Sequence, residues 1–485
     1  MMKNITFNNL AKVLSAEKLI LKQEGDFDPD REAAGVEIDS RKVEKDGIFF
    51  CIQGERSDGH SFLSEVAARG ARFAVVEKPL EDLPKPLPLP CLKVDSTLFA
   101  LEDMGAYYRS LFDCKVVGVT GSTGKTSTKD FIYSVMSEKF LTLATAGNMN
   151  SNIGLPLMVM RLNDSYEAAC LEMGINHPGE MSRLAKAARP DIAIITNIGV
   201  SHIENLGSQN GIMEEKLHIA DYMDGNGTLF LNGDDPLLQT LRGKREGLVF
   251  FGKSKENDIY LDEVLPFGLR GTEALIRSKA ESSIFSSPLK VTVSLPGQHM
   301  LYNALAAAAV GSALGLSREE IANGISKMKS AAGRSNVIEA GSLTILDDCY
   351  NASPDSMKAA FALMQQAEVS AGEGEAHQRR VYILGDMFEL GSRQEEMHFE
   401  VGEAAAETAP DLLITIGALA RQIHEGAANR IERERITHFD SVEEFLDGEN
   451  VKRLINRGDI VLVKASRGMR FERIVKALQA FEIKT

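Results

Sequence analysis

Short apolar runs recur along the chain, each ending in glycine, asparagine or an acidic residue and each followed by a helical stretch. The clearest are KVVGVTGS (115–122), AACLEM (168–173), DIAIITNIG (191–199), TILDDCYNAS (344–353), VYILGDM (381–387), LLITIG (412–417) and DIVLVKASRG (459–468). Hydrophobicity that is continuous rather than alternating marks strands covered on both faces, and alternation with helices marks a parallel sheet. The pattern predicts an α/β fold. After the first run, Phe131, Ile132, Val135 and Met136 form one apolar stripe at helical spacing. A second helix is predicted near 355–366, with Ser353 as N-cap, Pro354 in the first turn and Met357, Ala360, Phe361 and Met364 on one face.

The first hundred residues differ. FAVV (73–76) and CLKV (91–94) flank KPLEDLPKPLPLP, whose prolines predict a stiff extended loop inside a small α/β domain. Changes of unit are expected near Leu111–Lys115 and around Ser330–Arg334. The expected division is a small N-terminal α/β domain over 1–113, a central parallel-sheet domain over 114–332 and a C-terminal Rossmann-like domain over 333–485. A length of 485 residues fits three domains at roughly 150 residues each.

Charge narrows the function. With 54 basic and 69 acidic residues the net charge is −15, which opposes binding to nucleic acid or an anionic membrane surface. Cys51, Cys91, Cys114, Cys170 and Cys349 are scattered, without a C-x-x-C pair, as expected of reduced thiols in the cytoplasm. The start MMKNITFNNLAKVL lacks a signal peptide's apolar run, and Ala304–Leu316 is shorter than the about 20 residues of a membrane span. The expectation is a cytoplasmic protein with no membrane insertion.

The strongest chemical signal is GVTGSTGKTSTKD (118–130), between a strand and a helix. Gly121 and Gly124 let backbone N–H groups approach phosphate oxygens, Lys125 supplies a point charge, and Thr126 offers a hydroxyl to Mg²⁺. Ser122, Thr123 and Ser127 complete the loop. Val119 stands where the strict phosphate-loop pattern has its first glycine. The alternative is a Gly-rich turn with a solvated lysine. Glu172 closes the strand AACLEM, where an acidic metal ligand belongs; otherwise it is a helix cap or a solvated strand end. His202, in VSHIENLGS, reads by itself as structural. Lys216, in IMEEKLHIAD, reads by itself as a surface lysine paired with Glu215 or a neighbouring carboxylate.

Together these segments resemble the Mur ligase family, ATP-dependent amide ligases of the bacterial cell-wall precursor. TGSTGKTS is similar to that family's variant phosphate loop, and SHIENLGS with EEK to its His and Lys segment. LPGQHMLYNALAAAA resembles its adenine-side helix, with Asn303 as the nucleotide contact. Arg334 matches its domain-junction arginine, and DDCYNASPDSM, with Asp348, its nucleotide-closing segment. Cys349 departs from the hydroxyl residue more common there. AGNMNSNIGLPL, LEMGINHPGE, LGDMFELG and VLVKASRGMR are closest to the member that adds D-alanyl-D-alanine to UDP-N-acetylmuramoyl-tripeptide.

The resemblance implies a reaction through an acyl phosphate, with ATP and two Mg²⁺ ions held by Thr126, Glu172, His202 and Lys216. It further implies a CO₂-derived carbamate on Lys216 and a monomer. It places Ser40, Arg41, Asp58, Gly59 and His60 near the UDP-sugar, with Asn150 and Asn152 as further substrate contacts. Without it, Ser40, Arg41 and Asp58-Gly59-His60 read as polar turn residues between strands. Competing classes are another amino acid ligase of the same type, a phosphate-loop motor or switch ATPase, and a silent nucleotide-binding regulator.

Overall fold

Each apolar run named above is a strand of the computed structural model, which describes residues 1–480 apart from 20–26, 55–56, 226, 245, 267–268, 270, 330–332, 334, 368–378 and 448. The chain divides into two compact units: Met1–Tyr260 with Ser278–Ser286 and Leu305–Gly324, and Leu261–Arg277 with Ser287–Ala304 and Ile325–Thr485.

The first unit holds two sheets. Strands β1 (Glu17–Leu19), β2 (Val36–Glu37), β3 (Ile48–Phe50), β4 (Phe73–Val76) and β5 (Cys91–Lys93) pair in the order β1-β5-β4-β3-β2. Between β4 and β5 the proline-rich segment runs as a loop with one short 3-10 turn, Leu80–Asp82, as its composition predicts. The second sheet sets the candidate site. Its strands within the first unit are β6 (Lys115–Thr120), β7 (Thr142–Ala144), β8 (Ala168–Glu172), β9 (Ile192–Ile195), β10 (Thr228–Asn232) and β11 (Leu248–Gly252), in the order β11-β10-β9-β6-β8-β7; β12 (Ile259–Pro266), β13 (Thr272–Ser278) and β14 (Leu289–Val293) follow in the chain. Every neighbouring pair among β6–β11 is parallel. Chain order reverses direction around β6, so β8 and β9 flank it, and loops leaving the carboxyl ends of these three strands share one edge. That is where parallel α/β sheets bind ligands. The phosphate-loop helix, Lys125–Met136, buries the predicted stripe Phe131, Ile132, Val135 and Met136 completely.

In the second unit β15 (Asn336–Ala340), β16 (Leu343–Asp347), β17 (Arg380–Gly385), β18 (Leu412–Ile416), β19 (Ile436–Phe439) and β20 (Ile460–Lys464) pair in the order β15-β16-β20-β17-β18-β19. Only β15 is antiparallel to its neighbour. Successive residues of its strands feed two different cores: Leu346, Tyr382, Leu384 and Leu462 one, and Ile345, Val381, Ile383 and Val461 the other. Two covered faces explain why these strands read as unbroken apolar runs. The helix Pro354–Gln366 has the predicted Ser353 cap and buries Met357, Ala360, Phe361 and Met364. Ala304–Val310 form the buried middle of the helix Gln298–Ala313, and no helix among the described residues is long and apolar enough to cross a membrane.

Candidate active site

β6 delivers the chain to Gly121 hard against the end of β9: a Cβ there would lie 1.8 Å from Thr196 Oγ1, so only glycine fits. Gly124, with φ 77°, makes the left-handed turn that opens the phosphate-loop helix at Lys125. The first turn of a helix leaves its N–H groups without intrahelical partners, and these with the helix dipole favour an anion. Lys125 folds back onto the loop, its Nζ donating to the carbonyls of Gly121 at 2.9 Å and Ser122 at 3.4 Å. Thr126 and Ser127 are half-buried in that first turn.

The loop's shape is held from β9. Asn197 O accepts from Ser122 N at 3.0 Å, and Asn197 Oδ1 from Thr123 N at 2.9 Å. Asn197 Nδ2 donates to Thr123 O and Oγ1, and Thr196 Oγ1 donates to Thr123 O at 2.7 Å. Thr196 and Asn197 were not singled out by sequence. Their signal is a polar pair directly after a wholly apolar strand that ends beside the loop.

On the other side of β6, Glu172 is opposite Val119 in register, two residues before Gly121. It is 2% exposed; Oε1 accepts from Asn150 Nδ2 at 2.7 Å, and buried Oε2 has no hydrogen-bond partner among the described residues. A buried carboxylate oxygen left unpaired costs free energy unless something positive arrives to meet it. The donor chemistry therefore fits a hard cation. Asn150 braces Glu172, and Asn152 is half-buried in the turn before the helix Gly154–Val159.

Lys216, on the helix Gln209–Leu217, is 2% exposed. Its expected partner is committed elsewhere: Glu215 accepts from Gly179 N and Met181 N, both at 2.9 Å, capping the helix Glu180–Ala188. Burial, with the Lys125 ammonium adding to it, lowers the Lys216 pKa to about 7 against the opposing pull of Glu215. The lysine is neither solvated nor paired as a surface residue would be. His202, with φ 63°, stands on an exposed turn leading into Ile203–Leu206. Among the described residues no group of three or more His, Cys, Asp and Glu could hold a metal ion.

Comparison with known proteins decides the family. The chain matches the Mur ligase family catalytic domain over residues 32–101, the Mur ligase middle domain over 119–311, and the Mur ligase glutamate ligase domain over 333–467. It is 38% identical to the UDP-N-acetylmuramoyl-tripeptide–D-alanyl-D-alanine ligase of Bacillus subtilis, covering 92% of this chain and 93% of that one. The chain belongs to the Mur ligase family.

The ligase of the same name from Escherichia coli is 32% identical, with 99% of each chain covered. Among solved structures, MurF from Acinetobacter baumannii superimposes with a TM-score of 0.86 at 28% identity, over 99% of this chain and 100% of that one. MurF from Thermotoga maritima in complex with ADP gives 0.78 at 28% identity, over 92% and 97%.

The remaining predicted residues of this Mur ligase are built differently. His60 is buried; its Nε2 accepts from Glu77 N at 3.0 Å and Lys78 N at 3.4 Å, so Nδ1 carries the proton and donates to Asp58 at 2.6 Å. Partial burial opposes the Asp58 carboxylate, but hydrogen bonds from Lys78 and His60 outweigh it and hold its pKa at about 2. Gly59 passes so close to Cys51 that a Cβ would lie 2.7 Å from its Cα. Ser40 donates to Glu65 at 3.3 Å, and exposed Arg41 forms a bidentate pair with Asp39.

In the second unit Asp348 is held by Ser335 N at 2.8 Å and by buried Lys464 at 2.5 Å. Asn303 is buried, its amide 3.5 Å from Met300 Sδ. Cys349 lies in a hydrophobic core, its thiol pKa pushed up by burial and the Asp347 carboxylate. Arg334 lies outside the described residues.

Proposed function

We propose that this Mur ligase is the ATP-dependent, ADP-forming enzyme that joins D-alanyl-D-alanine to UDP-N-acetylmuramoyl-tripeptide. The observation that carries the reading is a shaped phosphate loop in one unit with two buried groups of unmet need, the unpartnered oxygen of Glu172 and Lys216, whose neighbouring Glu215 is spent on a helix end. The curated relatives of that name, aligned over nearly their whole length, agree with it.

The chemistry follows from the substrates. A tripeptide carboxylate oxygen bonds to the γ-phosphorus as the β–γ phosphoanhydride breaks, releasing ADP and leaving an acyl phosphate. The dipeptide amine then bonds to the acyl carbon; phosphate departs, and the amine loses its extra proton. Two anions meet in the first step, so charge neutralisation and alignment carry the catalysis. Lys125 and the loop amides hold the transferred phosphoryl group, with Gly121, Ser122, Thr123, Gly124, Thr126 and Ser127 shaping the nest. Mg²⁺ supplies Lewis acidity when bound. Thr126 and Glu172 would hold one ion, and His202 with Lys216 the second.

For that role Lys216 must change sign. Its neutral amine adds to CO₂, forming the N–C bond and releasing one proton, and the carbamate offers the oxygens Mg²⁺ prefers. Asn303, Arg334 and Asp348 are assigned to ATP, and Ser40, Arg41, Asp58, Gly59, His60, Asn150 and Asn152 to the substrate side. The proposed domains are 1–113, 114–332 and 333–485, and the proposed state is a cytoplasmic monomer.

The test is phosphate release that requires UDP-muramoyl tripeptide and D-alanyl-D-alanine together. Hydrolysis of ATP without them would favour a motor or switch ATPase, and ATP binding without turnover a regulator. For the carbamate, Lys216→Ala should be inactive and regain activity with formate or acetate. Full activity without added acid would exclude it.

A further inference from the structure

Behind the pair that grips the phosphate loop stands a second turn, at the end of β10. β10 runs parallel to β9 with Leu231 opposite Ile195, and ends in Asn232 where β9 gives way to Thr196. Asn232 Nδ2 donates to Thr196 O at 2.9 Å while its Oδ1 accepts from Asp234 N at 3.1 Å. Three residues on, Asp235 is buried. Its Oδ1 accepts from Leu237 N and Leu238 N at 2.9 and 3.0 Å, which suffices to close its own turn. Its Oδ2 does something more: it accepts from Ile198 N at 2.8 Å, 37 residues back along the chain.

The residues on either side of Asn197 are therefore pinned by the next strand's turn. Asn197 in turn uses its carbonyl and both side-chain atoms on Ser122 and Thr123. A phosphate nest works only if its N–H groups are already in place, because misplacement of about 1 Å forfeits a large part of the rate. A carboxylate accepting only backbone N–H groups is a rigid means of fixing that position.

We infer that Asp235 and Asn232 are positioning residues for the phosphate loop, acting through Ile198 and Thr196 on Asn197. The inference rests on the ligase reading, since it assumes that the loop carries ATP.

The experiment is steady-state kinetics of Asp235→Ala and Asn232→Ala, each with a melting curve and calorimetric binding of ADP. The expected result is a rise of about tenfold in the KM for ATP and in the ADP dissociation constant for Asp235→Ala. About threefold is expected for Asn232→Ala, with the KM for UDP-muramoyl tripeptide unchanged in both. A merely structural role would lower the melting temperature and move neither constant selectively. If Asp235→Ala does not fold, Asn232→Ala, which loses one cross-strand bond, decides. Folded variants that bind ADP as the parent does, or lose both substrates equally, would overturn the inference alone. A parent that binds no nucleotide would overturn the ligase reading and the inference with it.

Discussion

The phosphate loop and the Asp58–His60 turn are both glycine-bearing polar turns after a strand, yet their hydrogen bonds are spent in opposite ways. At Asp58–His60 both ring nitrogens are occupied, Asp58 takes His60 and Lys78, and Gly59 is present because Cys51 leaves no room for a Cβ. Around the phosphate loop the bonds to Asn197 set the shape, and the remaining needs stay open. Glu172 Oε2 is buried without a partner among the described residues, and Lys216 is buried with its neighbouring acid turned to a helix end. The difference teaches that a polar motif which satisfies itself holds the chain together. One that buries unmet charge is waiting for a ligand, because burial without compensation persists only where binding repays it.

The comparison breaks most visibly at Lys125. Its Nζ donates to the loop carbonyls of Gly121 and Ser122 rather than packing into the core. Lys125→Ala should cost about a thousandfold in kcat/KM, the scale of a lost transition-state donor. The melting temperature should stay within about 2 °C. Near-normal turnover in the folded variant would remove the phosphate-loop assignment.

His60→Ala probes the other side. Losing a buried ring that makes three hydrogen bonds should destabilise the fold by about 2–3 kcal/mol, seen as a lower denaturation midpoint. The KM for ATP should not move. A tenfold higher KM for the UDP-substrate at unchanged stability would show that His60 touches the substrate itself rather than bracing the turn on the substrate side, and would erase the contrast with the loop.

What was legible in the sequence follows the range of the interactions. The strands and the phosphate-loop helix were read because glycine, β-branched runs and apolar stripes act over a few residues, and Gly121–Lys125 announces its turn locally. Thr196 and Asn197 passed unnoticed because they act on Thr123 from more than seventy residues away, through a strand order that no single segment contains. By itself Lys216 reads as a surface lysine paired with Glu215 or a neighbouring carboxylate, because such acids lie beside it in the sequence. Helical geometry turns adjacent side chains apart, and the structure gives Glu215 to the helix Glu180–Ala188. Strand β14 (Leu289–Val293) alternates buried and exposed residues, so it lacked the continuous apolar signature used to find the others.

The smallest expected effect tests a second satisfied imidazole, in the C-terminal unit. His398 is fully buried, its Nε2 accepting from Met387 N at 2.8 Å and its Nδ1 donating to Gln394 O at 2.6 Å. Burial pushes its pKa below the ordinary 6.5, against the pull of Asp386. Burial also lowers His424 and His438, helped in both by Arg421 and opposed by Glu425 at the first and by Asp440 and Asp386 at the second. The sign follows from proton binding. Below pH 6.5 the unfolded chain takes up protons that these folded imidazoles refuse, so their stability is fully present above 6.5 and is lost as pH falls. Asp386 acts the other way: burial raises its carboxyl pKa, so its contribution is present in acid and fades as pH rises. Each refused proton is worth at most about 1.4 kcal/mol per pH unit. Melting curves from pH 7.5 to 5.5 should therefore fall by a few degrees. His398→Gln keeps an acceptor for Met387 and a donor for Gln394 but cannot titrate, so it should flatten the slope without changing the KM for ATP. An unaltered slope would show that the imidazole takes up its proton alike in the folded and the unfolded chain, and its two bonds would then need another account.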